Sequence, residues 1–352
     1  MTDTLIMLVD NNEYLGFKEV AVLRSIESGP YQFEVTAAPG NDRSGIYDLE
    51  DGMACQIFIN DDLVLTGAID DVNVDYDATT NQVSIVGRST LGDLVDCSTT
   101  GMQIKPGQSL ADVARLICKP YGISVTIAAS AATAANEPFT TSNNTLDAGQ
   151  FHWEFLEQLA RMRGVLLVSS PEGGLVITRS GASYAHTGLV LGKNIKACQA
   201  RRSHRSLFSE YLVCGQQSLF ATSDTEANSQ PKAKEPGDAK RYRPFTLHAD
   251  NPADNGACQA RAQWQRRVNY GRSRSVVYTV QGWRQDNGQL WLPNQLTTVT
   301  DARNKLQDAE RLVVAANLQL TEKQGRTTSL TVMPAAAFDL LAEPEESNGD
   351  LF

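Results

Sequence analysis

Gln56-Ile57-Phe58-Ile59-Asn60-Asp61, then Leu65-Thr66-Gly67-Ala68-Ile69-Asp70-Asp71-Val72-Asn73-Val74, then Val83-Ser84-Ile85-Val86 alternate apolar with polar residues, with an acidic turn after the first run and a polar Thr/Asn turn before the third. Period-two alternation puts one set of side chains on a buried face, so residues 52–87 read as an antiparallel meander. The pattern returns in residues 293–333. There the runs are Leu296-Thr297-Thr298-Val299-Thr300-Asp301, Leu312-Val313-Val314-Ala315-Ala316-Asn317-Leu318-Gln319-Leu320 and Leu330-Thr331-Val332-Met333. Any two antiparallel meanders look alike at this level, so on pattern alone the likeness is a hint of duplication, and of a protein built for symmetry, beside the plainer reading of two unrelated meanders.

Outward from the first meander, residues 5–9, 18–26 and 31–36 read as further strands, separated by turns at 10–12, 28–30 and 39–42 that are rich in Asn, Asp, Gly and Pro. Near Thr90 the pattern changes. Ser109-Leu110-Ala111-Asp112 is a capping box opening a helix that Pro120 and Gly122 stop, and residues 151–163 form a second helix ended by Gly164. Residues 128–149, rich in Ala, Thr, Ser and Asn, read as a long surface loop, and 216–243 as a mobile loop or clamp. A third helix is expected from 255 to about 269, with strands resuming from 275.

The fold class is therefore mainly β with an α+β insert: two similar antiparallel β-barrel domains and a smaller α+β domain. The expected boundaries are 1–95 for the first barrel, 96–182 for the insert and 183–335 for the second barrel, which carries the inserted helix and the 216–243 loop. Residues 336–352 form an acidic tail.

Charge is unevenly placed in this chain of 352 residues and net charge -10. Residues 1–100 carry 18 acids against 4 bases, whereas 193–274 carry 15 bases against 7 acids, so an acidic part of one copy can meet a basic part of another. The candidate interface charges are Asp61, Asp62, Asp70 and Asp71 on one side and Arg201, Arg202 and Arg205 on the other. Sequence-specific nucleic-acid binding is the weaker reading, because the protein as a whole is acidic and no aromatic-interleaved basic motif occurs.

No catalytic pattern emerges. The six cysteines form no CxxC pair, the four histidines no HExxH or HxH, and no GxSxG or phosphate loop is present. The paired aspartates and Asp75 and Asp77 lack the glycine-centred order of a calcium loop and read as solvated turns. No cofactor, metal or catalytic residue is expected. The run at residues 5–9 is too short for a signal peptide, and no run approaches a membrane-spanning helix. Trp283 and Trp291 flank the turn at 285–289 and read as packing anchors.

Trp264, Tyr278-Thr279-Val280-Gln281-Gly282-Trp283, Trp291-Leu292-Pro293-Asn294, Val299-Thr300-Asp301 and Leu330-Thr331-Val332-Met333-Pro334-Ala335-Ala336-Ala337-Phe338 resemble the baseplate hub proteins of Mu-like contractile-tailed bacteriophages. Phe155-Leu156-Glu157-Gln158-Leu159-Ala160, with Gly164 and Gly174-Leu175-Val176-Ile177, is similar to the wider late-control and tail-spike hub group. The resemblance spans most of the chain, with its most specific motifs between about 260 and 338. Within it Trp264, Trp283, Trp291, Pro293 and Asn294 stand as structural anchors.

The resemblance implies a homotrimer in which each chain supplies two barrel domains, giving a ring of six that joins a six-fold tail tube to a three-fold spike. The insert would face other baseplate proteins, and the whole would organise the baseplate for DNA delivery without enzymatic activity. Synthesis in the host bacterial cytoplasm, from a phage or resident prophage, would precede placement in the virion tail. Two other readings stand beside it: a baseplate-associated peptidoglycan-degrading enzyme, and the hub of a related secretion-system spike. The latter usually continues into a long needle, and the stop at Phe352 favours the phage tail.

Overall fold

Alternation along the chain becomes alternation of burial. In the strand Ala54–Ile59 the residues Cys55, Ile57 and Ile59 are buried, and the chain turns at Asn60, whose left-handed φ of 53° suits an Asn. It returns as the 15-residue strand Asp62–Tyr76 and again as Asn81–Ser89. In the second module Gln295–Asp301 is followed by the 16-residue Leu306–Thr321 and by Gly325–Met333. Each fully buried Ile, Leu or Val in these strands contributes roughly 1.5–3 kcal/mol of transfer free energy. The computed structural model describes residues 3–38, 45–79, 81–139, 145–216, 232–252 and 255–338.

The likeness of the modules extends to their irregularities. Pairing of the long strand with the strand that follows it slips by one residue between Ile69 and Asp71, and likewise between Val313 and Ala315. A bulge bends a strand and increases its twist, so one long strand can serve two differently directed stretches of sheet. The flanks repeat as well. Gln32–Ala37 lies on Asn81–Ser89 with Glu19–Ser25 outside it, as Arg274–Gln281 lies on Gly325–Met333 with Ile195–Arg202 outside it. The modules differ at the other end, where Leu5–Val9 runs antiparallel to Ala54–Ile59 but Ser183–Tyr184 and Leu189–Val190 run parallel to Gln295–Asp301.

Close approach at the first bulge depends on two glycines. A Cβ on Gly67 would stand 1.8 Å from the Arg88 carbonyl oxygen, and one on Gly87 would meet the Ala68 carbonyl oxygen at 2.3 Å. In the second module the turn after Gln295–Asp301 is organised instead by Asp301, which accepts from the Arg303 and Asn304 amides, from Asn304 Nδ2 at 2.6 Å and from the Tyr278 hydroxyl at 2.9 Å. Burial pushes the Asp301 carboxyl up, but these donors outweigh burial and hold it below the usual carboxylate value.

The two halves are one sheet. Residues 20–25 of Glu19–Ser25 pair antiparallel with residues 315–320 of Leu306–Thr321, so among the described residues fourteen strands share one sheet, eleven in series and Gln295–Asp301 with its two short partners branching from Leu306–Thr321.

The insert has its own core. Helix Leu110–Cys118 opens with the expected capping box, Ser109 and Asp112 exchanging side-chain and amide hydrogen bonds, and His152–Arg163 ends at Gly164 in the left-handed region. Both pack on a small sheet of Val125–Ile127, Leu175–Thr178 and Leu166–Ser169. The loop expected at 128–149 is corrected in part. Ala129–Ala131 is a 3₁₀ turn and Ala132–Asn136 a short helix that buries Ala131, Ala134 and Ala135, because alanine costs no side-chain entropy in a helix and fits tightly against its neighbours. Residues 140–144 lie outside the described residues.

Residues 183–335, expected to form a barrel with an inserted helix and a 216–243 loop, also hold a second sheet. Glu210–Gln216 joins Lys232–Pro236 and Pro244–Pro252 in a separate three-stranded sheet, packed against the helix Asn255–Arg272 through Tyr211, Val213, Ala233, Cys258 and Ala262. Lys232–Pro236 falls inside the expected 216–243 loop. Its Ala233 is buried while Lys234 pairs with Glu210 and Glu235 with Arg266, a pattern that low apolar content concealed. Residues 217–231, the expected 39–42 turn and the acidic tail beyond 338 lie outside the described residues.

Replacing Gly67 by Ala should destabilise the protein by about 3 kcal/mol, since backbone rather than a flexible side chain blocks the new methyl, read as a lowered denaturation midpoint. Asp301, with its folded pKa depressed, contributes stability that is complete above its unfolded pKa of about 4 and is lost as pH falls through the lower folded value. Asp301→Asn should therefore flatten the fall of unfolding midpoint with acidification below about pH 4, and an unchanged slope would contradict this.

Candidate assembly surfaces

The junction between the halves shows what this fold requires of a strand-to-strand contact. Val20, Val22 and Arg24 turn inward, opposite a strand whose Ala316 and Leu318 are fully buried. Arg24 is 1% exposed and donates to the Trp291 carbonyl, and burial pushes its guanidinium below the ordinary value. Trp283 seals the same junction. It packs in the first-half core and donates from Nε1 to the Gln319 carbonyl at 2.9 Å, while the Trp291 amide donates to its carbonyl at 3.1 Å. Next to it, Arg284 reaches Asp3 at 2.8 Å and Asp62 at 2.6 Å on the first half.

Asn294, at φ 63°, ties the end of the insert to the second half: its Oδ1 accepts from the Gly181 amide and its Nδ2 donates to the Arg179 carbonyl, both at 2.9 Å. Pro293 is half-buried beside it. Trp264 is half-buried on its helix, under the Arg261 guanidinium 4.5 Å from the ring, and faces a groove shared with Ile26 and Phe338.

The aspartates expected in solvated turns divide. Asp61 is exposed in the turn, and Asp62 pairs with Arg284. Asp70 and Asp71 lie within the strand Asp62–Tyr76, which corrects the turn reading, since the bulge lets polar residues enter the strand without reaching the core. Asp70 pairs with Arg88 at 2.7 Å, and the hydrogen bonds that Arg88 donates to Asp70 and then to Asp96 push its guanidinium up. Asp71 is exposed. Beyond it the strand presents Val74 and Tyr76, 45% and 81% exposed.

Arg201 and Arg202 end the strand Ile195–Arg202 and are exposed; Arg202 donates to the Asn304 carbonyl at 2.9 Å, and Arg205 is exposed in the turn that follows. Arg201 and Arg202 border a cleft of about 340 Å³ lined also by Arg274, Lys305 and Arg311, with no carboxylate among its lining residues. Within the chain the acidic and basic sets are kept apart, since six strands of the sheet lie between them.

Among the described residues no group of three His, Cys, Asp or Glu is placed to hold a metal ion, and their cysteines are free thiols. His152 contacts the Tyr121 hydroxyl through Nδ1 at 3.2 Å, with burial lowering its pKa, and serves packing between helix and turn. No described helix is long and apolar enough to cross a membrane.

Comparison with known proteins gives three domain matches in chain order: Mu phage baseplate assembly protein GpP-like, N-terminal, over residues 4–89; baseplate hub protein gp44-like, second domain, over 91–179; and Mu phage baseplate assembly protein GpP, fourth domain, over 255–341. The chain is 31% identical to baseplate hub protein gp44 of Escherichia phage Mu over 99% of its own length and 92% of that protein's. It matches the 43 kDa tail protein of prophage MuSo2 from Shewanella oneidensis at 30% identity and a TM-score of 0.81, covering 96% of this chain and all of the other. A tail protein from Neisseria meningitidis shares the fold at 19% identity and a TM-score of 0.80, over 98% of this chain and all of that one. With full-length similarity and matching domains in the same order, the chain belongs to the baseplate hub proteins of Mu-like phages.

Proposed function

We propose that the protein is the structural hub of a contractile phage baseplate, a homotrimer whose six sheet modules form a pseudo-six-fold ring between the six-fold tail tube and the three-fold spike. The observation that carries this reading is the repeated module. Two meanders of the same pairing order and the same bulge, joined edge to edge in one chain, make three copies present six near-equivalent units. A heterologous contact that closes on itself produces such a ring.

The insert, with a core of its own, is the part that faces other baseplate proteins in this reading, and the ring organises DNA delivery without chemistry of its own. The protein would be made in the host cytoplasm and end in the virion tail. Family membership favours this over a peptidoglycan-degrading enzyme, and purified protein that clears cell-wall substrate in a zymogram would overturn the structural reading.

Light scattering and negative-stain images at micromolar concentration should show annular particles of three times the chain mass. Monomers alone, with no annuli even when tube and spike proteins are added, would sink the ring. Reversing Arg201, Arg202 and Arg205 to Glu should weaken assembly most at low salt, where opposite charges act over the longest range, and leave the far-ultraviolet spectrum unchanged.

A further inference from the structure

The intrachain junction is a template for a contact that the same chain leaves open elsewhere. Aligning the modules on their bulges sets residues 71–76 of Asp62–Tyr76 equal to residues 315–320 of Leu306–Thr321. Carrying the register through the two next strands sets residues 198–203 equal to 20–25. In the second module, residues 315–320 are covered by 20–25. In the first, the edge of 71–76 facing away from Asn81–Ser89 has no strand partner among the described residues, nor has the edge of 197–202 facing away from Arg274–Gln281.

We propose that these two open edges pair between copies: residues 198–203 of one copy lie antiparallel on residues 71–76 of the next, in the register by which 20–25 lies on 315–320. The proposal rests on the ring reading and names its contact.

Three observations converge on it. Val72 and Val74 stand where Ala316 and Leu318 are fully buried, and Tyr76 where Leu320 is partly buried; yet Val74 and Tyr76 are 45% and 81% exposed, an apolar row without a cover. Facing them, exposed Ala200 takes the place of the fully buried Val22. The second observation is charge. Arg201 falls opposite Asn73, with Asp71 and Asp75 as its diagonal neighbours on the same face, within reach of a long side chain. Third, Arg202 takes the place of Arg24, and each is followed by a serine. Arg24 is the buried cation of the intrachain junction, so the same residue type stands at the same position of the open edge. An edge strand in water is prone to indiscriminate pairing, and matching acids and arginines restrict these two edges to each other.

In this register Cys198, an exposed free thiol, faces Tyr76 of the next copy. Directly opposed residues of antiparallel strands have Cα atoms about 4.5–5.5 Å apart, inside the range of about 4.4–6.8 Å that a disulfide spans. The test is oxidation of full-length Tyr76→Cys with copper phenanthroline, followed by non-reducing electrophoresis, with native mass measured in parallel. Covalent dimers and trimers are expected, absent in Tyr76→Cys/Cys198→Ser and absent in Asp75→Cys, whose thiol points to the other face of the strand. A trimeric mass without linkage, or with equal linkage in Asp75→Cys, overturns the strand pairing and leaves the ring standing. A monomeric mass without linkage overturns both.

Discussion

One strand holds the molecule together. Leu306–Thr321 pairs along one side with Gly325–Met333, and along the other first with Gln295–Asp301 and then with Glu19–Ser25 from the opposite end of the chain. A strand can serve three partners only if it is long and changes direction, and the bulge between Val313 and Ala315 supplies that change. Around it sit the groups that make the junction rigid: buried Arg24 on the Trp291 carbonyl, Trp283 on the Gln319 carbonyl, and Arg284 across to Asp3 and Asp62. Arg24 keeps one hydrogen bond there, to the carbonyl of Trp291, whose amide is held by the Trp283 carbonyl.

The surface chemistry follows from the same geometry. The first module has the same bulge and the same long strand, but among the described residues no strand covers the outer edge of residues 71–76, where Asp71, Asp75, Val74 and Tyr76 are exposed. At the other end of the sheet, the arginines near residue 202 gather in a cleft without a carboxylate of its own. In the proposed ring, these two sets of charges belong to the contact between copies.

Much of this was legible in the chain because strand periodicity survives in local sequence. The alternating runs at 56–86 and 296–333, the Ser109 capping box and Gly164 at a helix end are local signals, and each forms the element expected of it. The Ala-rich stretch after Ala128 and the polar stretch around Lys232 have the composition of loops yet form a short helix and a strand, because composition does not reveal an element whose stability comes from its neighbours. Asp70 lies in a strand rather than a turn for a related reason. Its ion pair with Arg88 is formed across strands, and nothing within five residues announces it.

By itself, the sequence determined that two β modules of similar pattern flank a mixed insert, that one end of the chain is acidic and a later part basic, and that the common catalytic motifs are missing. Pattern and composition are properties of neighbouring residues, so no fold is needed to read them. Tertiary structure alone decided that the modules share one sheet, that Arg24 is buried while its counterpart Arg202 is exposed, and that among the described residues no strand covers the outer edges of 71–76 and 197–202. Those are outcomes of pairing between residues up to about three hundred positions apart, where register, set by bulges and by the glycines that permit them, chooses which side chains meet.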